Sequence, residues 1–129
     1  MLKIFKTIIF LFIFLLIPSS ASAATYYVAT NGSDSNAGTL TAPFLTIPKG
    51  LSAISSAGDT LYIRGGNYSV GAFTFSNKTG TATQKITISG YENERPLLNA
   101  SGRINALWDN FIVLSRLQHV TLKNLEIAN

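Results

Sequence analysis

The chain has no cysteine, one histidine, one tryptophan and one methionine, and only 12% of its residues are charged. Without a thiol there is no disulfide staple, no thiolate metal site and no cysteine nucleophile, so packing and backbone pairing must hold whatever fold forms. Carboxylates are scarce as well: six Asp and Glu stand against ten Lys and Arg, for a formal net charge of +4. They are scattered, whereas a calcium cage needs about 6 to 8 converging oxygen ligands. Long apolar runs are missing too. The longest, residues 8–17, has ten residues, and a membrane-spanning helix needs about 20.

That short run has a different use. Lys3 and Lys6 precede it, Pro18 ends it, and Ala21-Ser22-Ala23 follows as a small-residue cleavage pattern. Residues 1–23 are therefore expected to be an export signal, an uncleaved anchor being the competing possibility. Cleavage after Ala23 leaves residues 24–129 as one small domain and halves the formal net charge, because Lys3 and Lys6 leave with the signal. Four Asn-x-Ser/Thr sequons, at Asn31, Asn67, Asn77 and Asn99, lie in turn-like text where Asn and Gly are common for conformational reasons, so glycosylation stays open.

Beyond residue 23 the apolar residues come in short β-branched runs separated by Gly, Asn, Ser and Thr, the punctuation of strands and turns. Strands are expected at 26–29, 61–64, 73–75, 85–89, 96–99, 111–114, 119–122 and 125–128. One helix is expected at 48–57, with Pro48 at its first position, Leu51 and Ile54 on one face, and Gly58 closing it. Leu61, Ile86 and Ile112 open strands about 25 residues apart, a solenoid-like period, although a β-sandwich would also show many short strands. In a solenoid the first turn exposes its interior and its strand edges; the helix face of Leu51, Ile54 and Ala57 would cover them, with Pro43-Phe44 steering the chain across.

The text Thr25-Tyr-Tyr-Val-Ala-Thr-Asn-Gly-Ser-Asp, then Pro43-Phe-Leu-Thr-Ile, then Gly58-Asp-Thr-Leu-Tyr-Ile-Arg-Gly-Gly resembles the opening of a secreted right-handed parallel β-helix of the pectate-lyase-like superfamily. It is similar to the family 9 polysaccharide lyases. The segment 117–129 resembles one repeating turn of the same family and stops without a cap, so the chain is expected to be the N-terminal portion of a longer protein. The resemblance implies an all-β solenoid with one short capping helix. It also implies an acidic polysaccharide substrate cleaved by β-elimination, calcium neutralising the uronate and a Lys or Arg base removing the C5 proton, and a monomer when complete. The calcium and base residues belong to later turns, so no catalytic, cofactor-binding or metal residue is assigned in this chain.

Several residues deserve weighing on their own chemistry. Asp34 begins a loop that departs from the EF-hand pattern at Gly38 and Leu45, and is expected to organise a turn. Asp59, between Gly58 and Thr60, is expected to bond nearby backbone amides. Glu92 and Glu94 form the nearest approach to a glycosidase pair, but sit in a polar turn with Arg95 beside them to neutralise charge. His119 has no neighbouring nucleophile and is expected to be a surface spacer in a strand. Arg64 is expected to stabilise a turn, while Lys85, Arg103, Arg116 and Lys123 spread the remaining charge. Trp108 and the tyrosines Tyr26, Tyr27, Tyr62, Tyr68 and Tyr91 could supply sugar-stacking platforms, but most alternate with polar residues as half-buried strand residues do, and none identifies a groove. No basic-aromatic cluster points to nucleic acid.

Overall fold

The computed structural model describes residues 22–99 and 112–128. Nine strands and one helix follow in the order β1 (Thr25–Val28), α1 (Ile47–Ala53), β2 (Thr60–Ile63), β3 (Asn67–Ser69), β4 (Phe73–Thr79), β5 (Ile86–Gly90), β6 (Leu97–Asn99), β7 (Ile112–Gln118), β8 (Val120–Lys123) and β9 (Glu126–Ala128). Every pairing between them is parallel. They stack into three sheets, ordered β1-β2-β5-β8, β3-β6-β9 and β4-β7, so successive strands of the chain pass from sheet to sheet. That is the coil of a parallel β-helix, each rung lying on the one before it.

Alternation within the strands decides what faces inward. In the first sheet Leu61 and Ile63 are 0% and 1% exposed, and Val28, Ile86 and Ile88 are buried with them. Tyr68 and Leu98 contribute from the second sheet and Phe75 from the third, and all these residues form one core. The outward positions stack as well: Thr25, Thr60, Thr87 and Thr121 lie side by side, and so do Tyr27, Tyr62, Ser89 and Lys123.

The helix does cover the first rung, and Leu51 and Ile54 of the expected face are buried in the core while Ala57 is only half-buried. Ile47, Gly50 and Leu51 are its buried residues, Ile54 caps it in an extended conformation, and Ala57 lies beyond it. The expected span of 48–57 is too long because Asp59 takes the Ser55 and Ser56 N–H groups at 2.8 Å each, which draws that backbone out of the helix. At the other end Thr46 is the N-cap, accepting from the Lys49 N–H. Gly50 lets the helix settle on the sheet, since a Cβ there would come within 2.6 Å of Val28 Cγ2 and 2.8 Å of Leu61 Cδ1. The free edge of β1 is covered by the segment 38–44, through Tyr27 N–H to Gly38 O and Phe44 N–H to Tyr27 O. An edge closed in this way is not a template for another chain. Phe44, 4% exposed, stacks on Tyr26 at 5.9 Å.

Two further expectations are corrected. Ile112 does not continue the column of Leu61 and Ile86: it pairs with Phe73 in the third sheet, while Leu61 lies beside Ile88 and Ile88 beside Leu122. Strand β3 was not expected, and His119 is not in a strand. It occupies the single-residue break between β7 and β8 with φ 51°, a left-handed conformation that His adopts more readily than most residues. Among the described residues no helix is long and apolar enough to cross a membrane.

Candidate functional site

The turn following β2 carries an ion pair. Arg64 Nε donates to Glu94 Oε2 at 2.9 Å and Nη2 donates to Oε1 at 2.9 Å, a two-pronged pair. The Gly65 N–H also donates to Oε2, at 2.6 Å. The Arg64 bonds, followed by the Gly65 N–H, hold Glu94 below the ordinary carboxylate range despite some burial. Sequence proximity pointed to Arg95 as the neutralising partner; the structure gives Glu94 to Arg64 and leaves Arg95 exposed. Behind the pair, the Tyr68 hydroxyl donates to Arg64 O at 2.8 Å, and burial pushes its pKa up to about 12.

Beside this corner stands a cluster of three tyrosines on the outer face of the first sheet. Tyr27 and Tyr62 are register neighbours and stack at 5.6 Å with an interplanar angle of 28°. Tyr91, from the turn after β5, meets Tyr27 edge-on at 5.6 Å and Tyr62 at 5.5 Å. The Arg64 guanidinium lies over the Tyr91 ring at 5.0 Å. The Glu92 carboxylate beside it raises the pKa of the Tyr91 hydroxyl. Together with Lys123 and Asn124 these residues bound a cleft of about 370 Å³. Its walls are aromatic, with an ammonium and an amide as donors and a carboxylate as acceptor. Those are the elements that hold a sugar ring, apolar C–H faces on aromatic rings and hydroxyls on polar groups.

The remaining candidates are structural. Asp34 accepts from the N–H groups of Leu45 and Thr46 and from the Thr46 hydroxyl, at 3.0, 2.9 and 2.8 Å, and so buttresses the helix N-cap. Asp59, 2% exposed, accepts from Ala24, Ser55 and Ser56 N–H groups, the backbone role the sequence suggested. Partial burial pushes both carboxyls up, and their hydrogen bonds outweigh it to leave both lowered. His119 is exposed and does not line the tyrosine cleft. Arg103 and Trp108 lie outside the described residues. Among the described residues no group of three or more His, Asp or Glu side chains is placed to hold a metal ion.

A parallel coil of three sheets with a helical cap defines the class as a parallel β-helix, a fold that does not by itself fix a function. The chain belongs to the Pel9A-like right-handed β-helix family, whose model matches residues 26–129. It is similar to pectate lyase PEL9 of Emericella nidulans, 36% identical over 77 residues that make up 60% of this chain and 18% of that protein. Among solved structures it is similar to a rhamnogalacturonan lyase, 26% identical with a TM-score of 0.62 over 81% of this chain and 28% of that one. A lacto-N-biosidase of glycoside hydrolase family 136 from Eubacterium ramulus is 25% identical, with a TM-score of 0.64 over 82% of this chain and 20% of that one. The chain thus spans less than a third of the length of each of these proteins.

Proposed function

We propose that the whole protein is an exported polysaccharide lyase that cleaves pectate or a related uronate polymer, and that residues 24–129 form its first turns. The observation that carries this reading is the family match over 26–129 together with the similarity to a protein named as a pectate lyase. In β-elimination a base takes the C5 proton of the uronate, the C4–O bond breaks with its electrons leaving on the departing chain, and a C4–C5 double bond forms. Calcium is proposed for the whole protein. The described carboxylates do not converge on a site for it, and three of them, Asp34, Asp59 and Glu94, are already committed to N–H groups and to Arg64. The ion and the base are therefore assigned to further turns.

The tyrosine cleft favours a second reading, a non-catalytic carbohydrate-binding β-helix, since it offers aromatic walls and hydrogen-bonding groups without a paired acid and base. One experiment separates the two. The whole protein is incubated with polygalacturonate and with rhamnogalacturonan, with calcium or with a chelator, and ultraviolet absorbance of unsaturated products is followed. Calcium-dependent absorbance is the expected result. Retention on the polymer with no absorbance change under either condition would replace the lyase with the binding protein.

A further inference from the structure

The best-held point at the start of the described chain is Ala24. Its N–H donates to Asp59 Oδ1 at 2.8 Å, and its carbonyl accepts from Thr60 N–H at 2.8 Å, so the residue is fixed from both sides. Ser22 and Ala23, immediately before it, are exposed. The border between exposed and fastened chain therefore falls at the Ala23–Ala24 bond, which is also where the small-residue pattern places the cut. Asp59 is 2% exposed, and its other oxygen is occupied by Ser55 and Ser56 N–H groups, so Oδ1 is aimed at this one nitrogen.

We infer that hydrolysis of the Ala23–Ala24 bond by a signal-peptidase-type protease creates an α-ammonium in place against Asp59, and that this ion pair locks the helical cap to the first strand of the mature protein. In the cut, water supplies a hydroxyl to the Ala23 carbonyl carbon and a hydrogen to the Ala24 nitrogen, which takes up a further proton at neutral pH. A bond from a neutral amide to the Asp59 carboxylate is thereby replaced by an ion pair in which donor and acceptor are both charged. Asp59 ties three parts of the fold together: the Ser55 and Ser56 backbone after α1, the lead into β1 through Ala24, and β5 through Thr87 N–H, which donates to Asp59 O. The other charged group facing Asp59 is Lys78 of β4, whose Nζ donates to the Ile54 carbonyl at 2.6 Å. Processing would thus complete the cap, and the lock goes beyond the lyase assignment and does not depend on it.

The sign of the pH effect follows from linkage. An α-amine paired only in the folded state has its pKa raised there, so its contribution is full below the unfolded value of about 7.7–8.0 and is lost as pH rises through the folded value. The test is to express the full chain in a secreting host, sequence the N-terminus of the released protein, and measure the α-amine pKa from the pH profile of trace acetylation. Ala24 is expected as the first residue, with an amine titrating at least about one unit above the ordinary range, which is a tenfold smaller free-base fraction at pH 7. Asp59→Asn should return the amine to that range. Because this variant can fail to fold, a second one inserts Gly-Ser after the cleavage site. It keeps Asp59 but displaces the amine, and should lose the fall in melting temperature between pH 8 and 10 (roughly the span above the free-amine value). A released protein that starts at another residue, or a wild-type amine that titrates in the ordinary range, would overturn the inference.

Discussion

Glu94 reaches back thirty residues along the chain to Arg64 and holds it through both carboxylate oxygens while also accepting the Gly65 N–H. The turn after one rung is therefore fastened by the turn after the next. Tyr91 and Glu94 come from the same turn, so the guanidinium is fixed edge-on by the carboxylate and face-on by the ring.

Arg64→Lys should not be tolerated as a conservative change, because an ammonium can neither bind both oxygens in a fork nor stack its plane on Tyr91. The side chains of the pair are 36% and 33% exposed, and the expected loss is discounted accordingly to about 1 kcal/mol. Urea denaturation checks this: an unchanged midpoint in Arg64→Lys would show that the pair contributes nothing to the fold.

Acid should unfold the protein through three carboxyls whose native pKa values lie below the ordinary ones, those of Asp34, Asp59 and Glu94. A lowered native value contributes stability above the unfolded pKa, which is about 3.9 for Asp and 4.3 for Glu, and that stability is lost as pH falls through the native value. The melting temperature followed by circular dichroism should be level from pH 7 to about 5 and drop below about 4. Asp34→Asn should shrink the drop. A level profile down to pH 3 (roughly one unit under the unfolded values) would contradict the assignment.

Much of this architecture was legible in the sequence where the signal is local. Gly58-Asp59-Thr60 announces a turn into a strand, and Asp59 does bond the amides before it. Strand β3 escaped notice because Gly65-Gly66-Asn67 has the composition of a loop, and Tyr68 is held inward by Leu98 beside it and by its hydroxyl bond to Arg64 O, contacts that lie far along the chain or in the backbone. The register failed for a related reason: rungs differ in length, so equal spacing pointed to Ile112, whereas Thr25, Thr60, Thr87 and Thr121, each followed by Tyr, Leu or Ile, mark the true column. Tyr27 and Tyr62 hold the same place in those strands, a signal that could have revealed the cluster. Tyr91 could not be placed with them without the turn that Glu94 anchors.

Gly50→Ala should destabilise the protein although alanine is the better helix former. Propensity favours Ala over Gly by about 1 kcal/mol, but the added methyl would meet Val28 Cγ2 at 2.6 Å, and Val28 is 0% exposed. Overpacking of a filled core costs about 1–3 kcal/mol. The expected balance is a lower melting temperature, measured by calorimetry. A higher one would mean that the helix sits less tightly on the sheet than these distances require.

The tyrosine cluster makes a prediction in which stability and binding can be separated. Tyr62→Ala removes two ring contacts and uncovers the register neighbour Ser89, now 1% exposed. A double-mutant cycle with Tyr91→Ala should give a coupling of about 0.5–1.5 kcal/mol, the range of aromatic pairs beyond their buried area. Tyr91 itself lies on a turn and carries the Arg64 guanidinium on its ring, so its loss should leave the rungs paired while opening one wall of the cleft. In gels containing polygalacturonate the wild-type whole protein should be retarded, and folded Tyr91→Ala should migrate faster than it. Equal retardation of the two, with the coupling energy present, would assign the cluster to holding neighbouring rungs together and would move the sugar contact to another face.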